Sequence, residues 1–467
     1  MRFSQDGTHV VDINRQTLAN VEKLTRPKLA MFGNSLVARS QIGDTVANCW
    51  SAWGHLHWIR ALSNCAFTYA ASTATDWGAQ SNPGGAETID SYGIYGWGGA
   101  TNSLSGTYSM LKHLPDVLTK FTETPDIVYL AAMFENDITE GIAYATIIKD
   151  GIKTIQLIRA KWPNAVIIVA CPGPSTGIDT AAEHTAHDMV SEWVMSLPET
   201  YPNLLVESNQ ALTIQSGYFD QPIAQYTSDN IIHQNERGAV VRAKAFLNEL
   251  GFLFQVPFEI PTSPYNSDVK KLVFQANPDF SIYGAPGMND GQAAGVVLAH
   301  TYTSYDWYCD TNFGVTVTDN AAGGVNVTLT RSGTVTNGDK CSATSDASAT
   351  TVVATDTYAA YAKIEILNPE NLFGVNLIVD YSGGTEKNSY GLFWQSAFKT
   401  AYPQGISDLL EAGDTLTLMT PPLVPGTGNV TCAYTQTQIL GCATMPAGAI
   451  TSSNPSMRII AQNVVAV

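Results

Sequence analysis

The sequence predicts an α/β unit built on a parallel sheet covered on both faces, followed by an all-β unit. Three observations predict it. From residue 28 to about 256, apolar runs of strand length alternate with amphipathic windows of helical period. Prolines 257, 261 and 264 then punctuate a linker. Beyond them, short Thr/Val/Tyr-rich runs are broken by Gly, Asn and Asp at the spacing of an antiparallel sandwich or jelly roll. The expected division is a polar lead-in at 1–27, the α/β domain at 28–256, a linker at 257–274 and the sandwich at 275–467.

In the α/β region, strands are expected at 28–32, 65–70, 126–132, 164–170 and 203–207. Helices are expected at 49–63, 102–121, 142–161, 180–197 and 235–250. The first strand is the apolar run Leu29 to Phe32, which ends abruptly in Gly33-Asn34-Ser35. The run Ile127 to Met133 is continuously apolar, as a strand buried on both faces requires. The last helix runs to Leu250 and meets Gly251, a good C-cap. Farther on, Gly314 to Thr318, Gly324 to Thr330 and Leu377 to Tyr381 alternate as half-buried strands do, and the Ser/Thr/Ala stretch 342–355 alternates enough to hold another. No internal repeat of fixed period is present.

Composition narrows the function. The chain has 467 residues, a formal net charge of −17 and only 14% charged residues, which makes nucleic acid and anionic membrane poor partners. The N-terminus lacks an apolar signal core, and no run is long enough to span a bilayer, so synthesis in the cytoplasm without an export signal is expected. Seven cysteines without a C-x-x-C pair suggest scattered thiols, with Cys432 and Cys442 as the one candidate local bridge. No cofactor is implied.

Ser35 stands at a strand-to-helix turn, where a serine serves either as an N-cap or as a nucleophile set among the unpaired N–H donors of a helix start. The segment Tyr95 to Thr101 carries Gly96, Gly98 and Gly99; it is either a flexible turn or a source of backbone N–H for an oxyanion. Asn136, just past a buried strand, is either a turn residue or a side-chain donor to the same oxyanion. His233, with an acid a few residues before it, precedes the closing helix and can deprotonate Ser35. His55 and His57 point to different helix faces with no acidic ligand near, so no metal site is expected. His184 and His187 read as surface residues. Trp77, Tyr95 and Trp97 flank the glycine segment, where aromatic faces either stack on sugar rings or pack in the core or a lid.

Gly33-Asn34-Ser35-Leu36, Gly99-Ala100-Thr101, Asn136-Asp137 and the Asp229 to His233 loop resemble, in order and spacing, the four blocks of the SGNH, or GDSL-like, hydrolases, over residues 28 to 251. The resemblance implies a three-layer, flavodoxin-like α/β/α fold. It also implies Ser35 as nucleophile, His233 as general base, and an oxyanion hole from the Ser35 and Gly99 backbones and the Asn136 side chain. Asn34 replaces the usual Asp, and Phe134 replaces a glycine, which is expected to narrow the cleft. The acid that supports the histidine falls at Asp229, while the usual place, three residues before His233, holds Asn230. Asp229 is expected to orient His233; a Ser–His pair without it is the alternative.

Such hydrolases act on lipids, small esters and acetylated carbohydrates. Without a long apolar lid segment, a lipase is disfavoured. Leu409 to Leu418 resembles the edge of jelly-roll carbohydrate-binding modules. The expectation is therefore a carbohydrate O-acetylesterase acting on a bacterial surface polysaccharide, with Trp77, Tyr95 and Trp97 on the sugar. It is expected as a trimer in a phage tail spike or fibre, with no nucleic-acid partner and no membrane insertion. An intracellular esterase for small acyl esters and a receptor-binding protein with an inactive esterase fold are the alternatives.

Overall fold

The computed structural model describes residues 25–38, 54–73, 87–90, 94–97, 99–106, 108–212, 220–227, 232–262, 272–273, 277–281, 296–300, 302, 304–334, 336–345, 351–352, 357–381, 385–388, 404–422, 430–448 and 452–466. These divide into two compact units, the first within residues 25–257 and the second within 258–467, with 60–65 joining the second.

The first unit is an α/β domain. Its elements are β1 (Lys28–Gly33), α1 (Ser35–Ala38), α2 (His55–Leu62), β2 (Thr68–Tyr69), β3 (Glu87–Asp90), β4 (Ile94–Trp97), α3 (Met110–Thr119), β5 (Ile127–Ala132), α4 (Glu135–Thr139), α5 (Tyr144–Lys161), β6 (Val166–Ala170), α6 (Ala181–Thr200), β7 (Leu204–Glu207) and α7 (Glu236–Leu250). The sheet runs in the order β3-β4-β1-β5-β6-β7, with β2 also on β1. All its pairings are parallel except β3 on β4.

Because β1 lies inside this sheet, its residues Leu29 to Phe32 are fully buried, each contributing roughly 1.5–3 kcal/mol where a large apolar side chain leaves water. The end of β1 therefore delivers Ser35 to the carboxyl edge of the sheet. Gly33 is required there by close approach: a Cβ on it would sit 2.4 Å from Val37 Cγ2 and 2.8 Å from the Ala132 carbonyl oxygen.

Two strands were not expected. β3 and β4 lie in a stretch whose glycines and polar residues hide any strand period, and β4 is buried because it pairs with β1. The expected helix at 102–121 starts instead at Met110, where the Ser109 side chain accepts the Lys112 N–H. Residues 102–104 before it are held by carboxylates.

The second unit is all-β. Its strands are β8 (Leu272–Val273), β9 (Val296–Leu298), β10 (Tyr305–Cys309), β11 (Phe313–Asp319), β12 (Val325–Arg331), β13 (Asp339–Ser345), β14 (Thr351–Val352), β15 (Tyr358–Asn368), β16 (Leu372–Tyr381), β17 (Thr385–Asn388), β18 (Thr415–Met419), β19 (Val430–Gly441) and β20 (Ser456–Ala466). They form two sheets, one ordered β10-β13-β19-β16-β17 with β14 on β19, the other ordered β18-β15-β20-β12-β11-β9 with β8 on β20. Alternation decides which side faces in: Val325, Val327 and Leu329 of β12 are buried, whereas Asn326 and Thr328 between them are only partly so. The stretch that resembles a jelly-roll edge ends in the edge strand β18. The expected linker begins inside this unit, since Phe258 packs on Tyr361 and the Asn463 side chain donates to the Pro261 carbonyl.

A bridge between Cys432 and Cys442 is ruled out. Cys432 lies near the start of β19 and Cys442 just past its end, which at about 3.3 Å per strand residue puts them roughly 30 Å apart.

Candidate active site

At the carboxyl edge of the first unit's sheet, His233 Nε2 lies 2.9 Å from Ser35 Oγ, so the serine hydroxyl can donate to the imidazole. Both residues are partly exposed. Ser35 opens the four-residue α1, and Asn34 shapes the turn in front of it. The Asn34 N–H donates to Ala132 at 2.8 Å, and its side-chain oxygen accepts the Leu36 N–H at 3.0 Å. Its side-chain nitrogen donates to Glu135 Oε2 at 3.0 Å.

Glu135 braces the site, and the sequence reading missed it. Besides Asn34, its carboxylate accepts the Phe134 N–H at 3.2 Å and the Gly173 N–H at 2.9 Å. It thereby ties the serine turn to the start of α4 and to the loop after β6. Burial pushes its pKa up, and the donors from Gly173 and Asn34 oppose that.

One residue on, the Asn136 side chain donates to the Ala100 carbonyl at 2.8 Å, which brings the two expected oxyanion donors, Asn136 and the exposed backbone of Gly99, into one cluster. Asp137 anchors the same loop from below: its carboxylate accepts the Asn102 N–H at 2.7 Å and the Ser103 N–H at 2.9 Å. Asp150 holds Leu104 likewise at 2.9 Å.

Burial pushes the Asp137 pKa up to about 6 against its hydrogen bonds. A folded-state value above the usual 3.8 means that this group's contribution to stability is full below pH 4 and is lost as pH rises through 6. Wild-type stability minus that of Asp137→Asn is therefore expected to fall by roughly 2 kcal/mol between pH 4 and pH 6. Thermal melts of both proteins at several pH values check this; a flat difference would contradict it.

His233 sits in a loop fixed at its other end. Thr227 and Gln234 form an isolated antiparallel bridge, and the Asn235 side chain both caps α7, accepting the Gly238 N–H at 3.0 Å, and donates to Gln225 and Thr227 carbonyls. Gly238 packs directly on this loop: a Cβ there would lie 2.2 Å from the Tyr226 oxygen. Gly238→Ala, which in an open helix would gain about 1 kcal/mol, is here expected to destabilise by roughly 1–3 kcal/mol and to lower turnover by displacing His233. Melting temperature and kcat measured together check it.

Several expectations change. Tyr95 and Trp97 are 0% exposed and cannot stack on a sugar. As β4 residues beside β1 they belong to the core, Tyr95 stacking on Phe32 at 5.4 Å and Trp97 packing edge-on against His113 at 5.4 Å. Phe134 does not narrow the cleft; it is buried against Trp193 at 5.6 Å. His187 is buried, with its Nε2 3.3 Å from the Pro172 carbonyl, and His184 pairs with the buried Asp220. Trp77, Asp229 and Asn230 lie outside the described residues. Among the described residues, no group of three or more His, Cys, Asp and Glu could hold a metal ion, and no helix is long and apolar enough to cross a membrane.

No protein-family model matches the sequence, and no curated protein matches it. Solved structures similar to it include a family 3 carbohydrate esterase from Clostridium thermocellum, 16% identical, with a TM-score of 0.34 over 49% of this chain and 97% of that one. A carbohydrate esterase family 3 protein from Talaromyces cellulolyticus is 16% identical, with a TM-score of 0.33 over 49% and 98%. An acetyl esterase mutant with acetate ion is 17% identical, with a TM-score of 0.32 over 49% and 98%.

Proposed function

We propose that this chain is an SGNH-type carboxylic ester hydrolase that removes acetyl groups from a carbohydrate through a serine nucleophile. The observation that carries the reading is the 2.9 Å contact between Ser35 Oγ and His233 Nε2 at the edge of a parallel sheet. When Ser35 Oγ attacks the ester carbonyl, its proton passes to His233 Nε2. The negative charge that develops on the carbonyl oxygen falls to the N–H of Ser35 at the start of α1, the backbone of Gly99 and the side chain of Asn136. His233 then returns the proton to the departing sugar hydroxyl, leaving an acetyl ester on Ser35. Water, deprotonated by the same imidazole, releases acetate. Asp229 is proposed as the carboxylate that orients His233.

A carbohydrate polymer is proposed as substrate because the catalytic unit is joined to an all-β unit of comparable size. Incubating the full chain with a panel of O-acetylated bacterial polysaccharides and measuring free acetate tests this. Release from at least one polymer is expected. Hydrolysis of p-nitrophenyl acetate alone would shift the reading to small esters, and hydrolysis of neither would overturn it. The same proposal extends to a trimeric phage tail component, and a monomeric mass by sedimentation would remove the trimer.

A further inference from the structure

Beneath the Ser35–His233 contact runs a chain of buried polar side chains that the hydrolysis above does not use. Arg242 of α7 grips Glu207 at the end of β7 with two parallel hydrogen bonds, Nε to Oε1 and Nη2 to Oε2, both 2.8 Å. Its Nη2 also donates to the Ala131 carbonyl at 2.7 Å and the Tyr129 hydroxyl at 3.2 Å. The Tyr129 hydroxyl bonds Glu207 Oε2 as well. On its other side it meets His55 Nε2 at 3.0 Å, and His55 Nδ1 meets Gln234 Nε2 at 3.1 Å. Gln234 is the residue after His233, and all five side chains are buried.

The protons in this chain follow by elimination. Arginine only donates and a carboxylate only accepts. The one hydroxyl proton of Tyr129 therefore goes to Glu207, and the hydroxyl accepts from His55, while Arg242 Nη2, whose two protons go to Glu207 and Ala131, at most shares one with it at 3.2 Å. His55 must then carry its proton on Nε2. Nδ1 is left with a lone pair, so Gln234 presents its NH₂, not its oxygen. We infer that Glu207, Arg242, Tyr129 and His55 form a positioning relay that locks Gln234 and so holds the His233 imidazole against Ser35. The inference rests on the Ser35–His233 reading. Burial first, then the charge of Arg242 and the neighbouring His57, keeps the His55 pKa well below its usual value and the ring neutral, as the relay requires.

Two variants of the full chain test the relay. Tyr129→Phe removes the acceptor that fixes the His55 proton while keeping the ring. Gln234→Glu keeps the shape of the side chain and replaces the donor facing Nδ1 by an acceptor. With p-nitrophenyl acetate, each is expected to lower kcat by about 10- to 100-fold, as a small misplacement of a catalytic group does, with KM nearly unchanged. Gln234→Glu should also add an ionisation to the pH–kcat profile, because its carboxylate draws a second proton onto His55. A change confined to stability would not produce that extra ionisation.

Nitrogen-15 spectra of histidine-labelled wild type give a readout independent of activity, and the Nε2–H tautomer of His55 is expected. The Nδ1–H tautomer, or unchanged kcat and pH profile in Gln234→Glu, would overturn the relay. If Tyr129→Phe fails to fold, the isosteric Gln234→Glu and the wild-type spectrum still decide. An active wild type with insensitive variants sinks the relay alone, whereas a wild type that never acylates Ser35 sinks the reading beneath it.

Discussion

Ser35→Ala is expected to lower ester hydrolysis by several orders of magnitude while leaving the melting temperature close to that of the wild type. Removing a nucleophile deletes the acyl-enzyme route outright, and in serine hydrolases such deletions reach about 10⁶ in turnover. The fold should tolerate it, because Ser35 is partly exposed and the turn in front of it is held by Asn34, not by the serine hydroxyl. Steady-state turnover with p-nitrophenyl acetate, with folding followed by circular dichroism, checks this. Near-normal turnover by a folded variant would remove Ser35 from its role.

The second large effect is expected at His233. Without its imidazole Ser35 loses the acceptor that stands 2.9 Å from its hydroxyl, and His233→Ala should approach the loss of Ser35→Ala, with the double variant little worse than either single one because the pair acts as a unit. Replacing the supporting acid separates two versions of the site. If Asp229 orients the imidazole, Asp229→Asn should cost about 10⁴ in turnover and Asn230→Ala little. Full activity in Asp229→Asn would leave a Ser35–His233 pair as the working unit, and Asn230→Asp would then be the variant to try for a gain. Rates for the three variants at positions 229 and 230, measured at neutral pH, discriminate between these outcomes.

How much of this was legible in the chain depends on whether burial shows in local pattern. β1, β5, β6 and β7 were readable because strands buried on both faces are continuous apolar runs. β4 was not, because Ile94-Tyr-Gly-Trp97 is too short and glycine-interrupted to announce itself, and its burial comes from pairing with β1. That single omission is why Tyr95 and Trp97 were assigned to the substrate. At the site, Ser35 and His233 were legible through the spacing of four short blocks, which no periodicity would have linked across 198 residues. Glu135 and the chain from Gln234 to Glu207 were invisible for a different reason: a buried charge looks like a surface charge until its partners are known. A partial signal did exist, since Glu207 closes an apolar strand and Arg242 falls among the buried Val240, Ala243 and Phe246 of α7.

The pairing of Asn34 with Glu135 carries a consequence for evolution. An aspartate at position 34 could still accept the Leu36 N–H, but it could not donate to Glu135 and would set two carboxylates against each other in a buried space. The two positions are therefore constrained as a pair: lineages descended from a common ancestor can exchange Asn34 for Asp only after, or together with, loss of the acid at 135. Among homologues of this chain, amide-with-acid and acid-with-neutral should both occur at these two sites, and acid-with-acid should be rare.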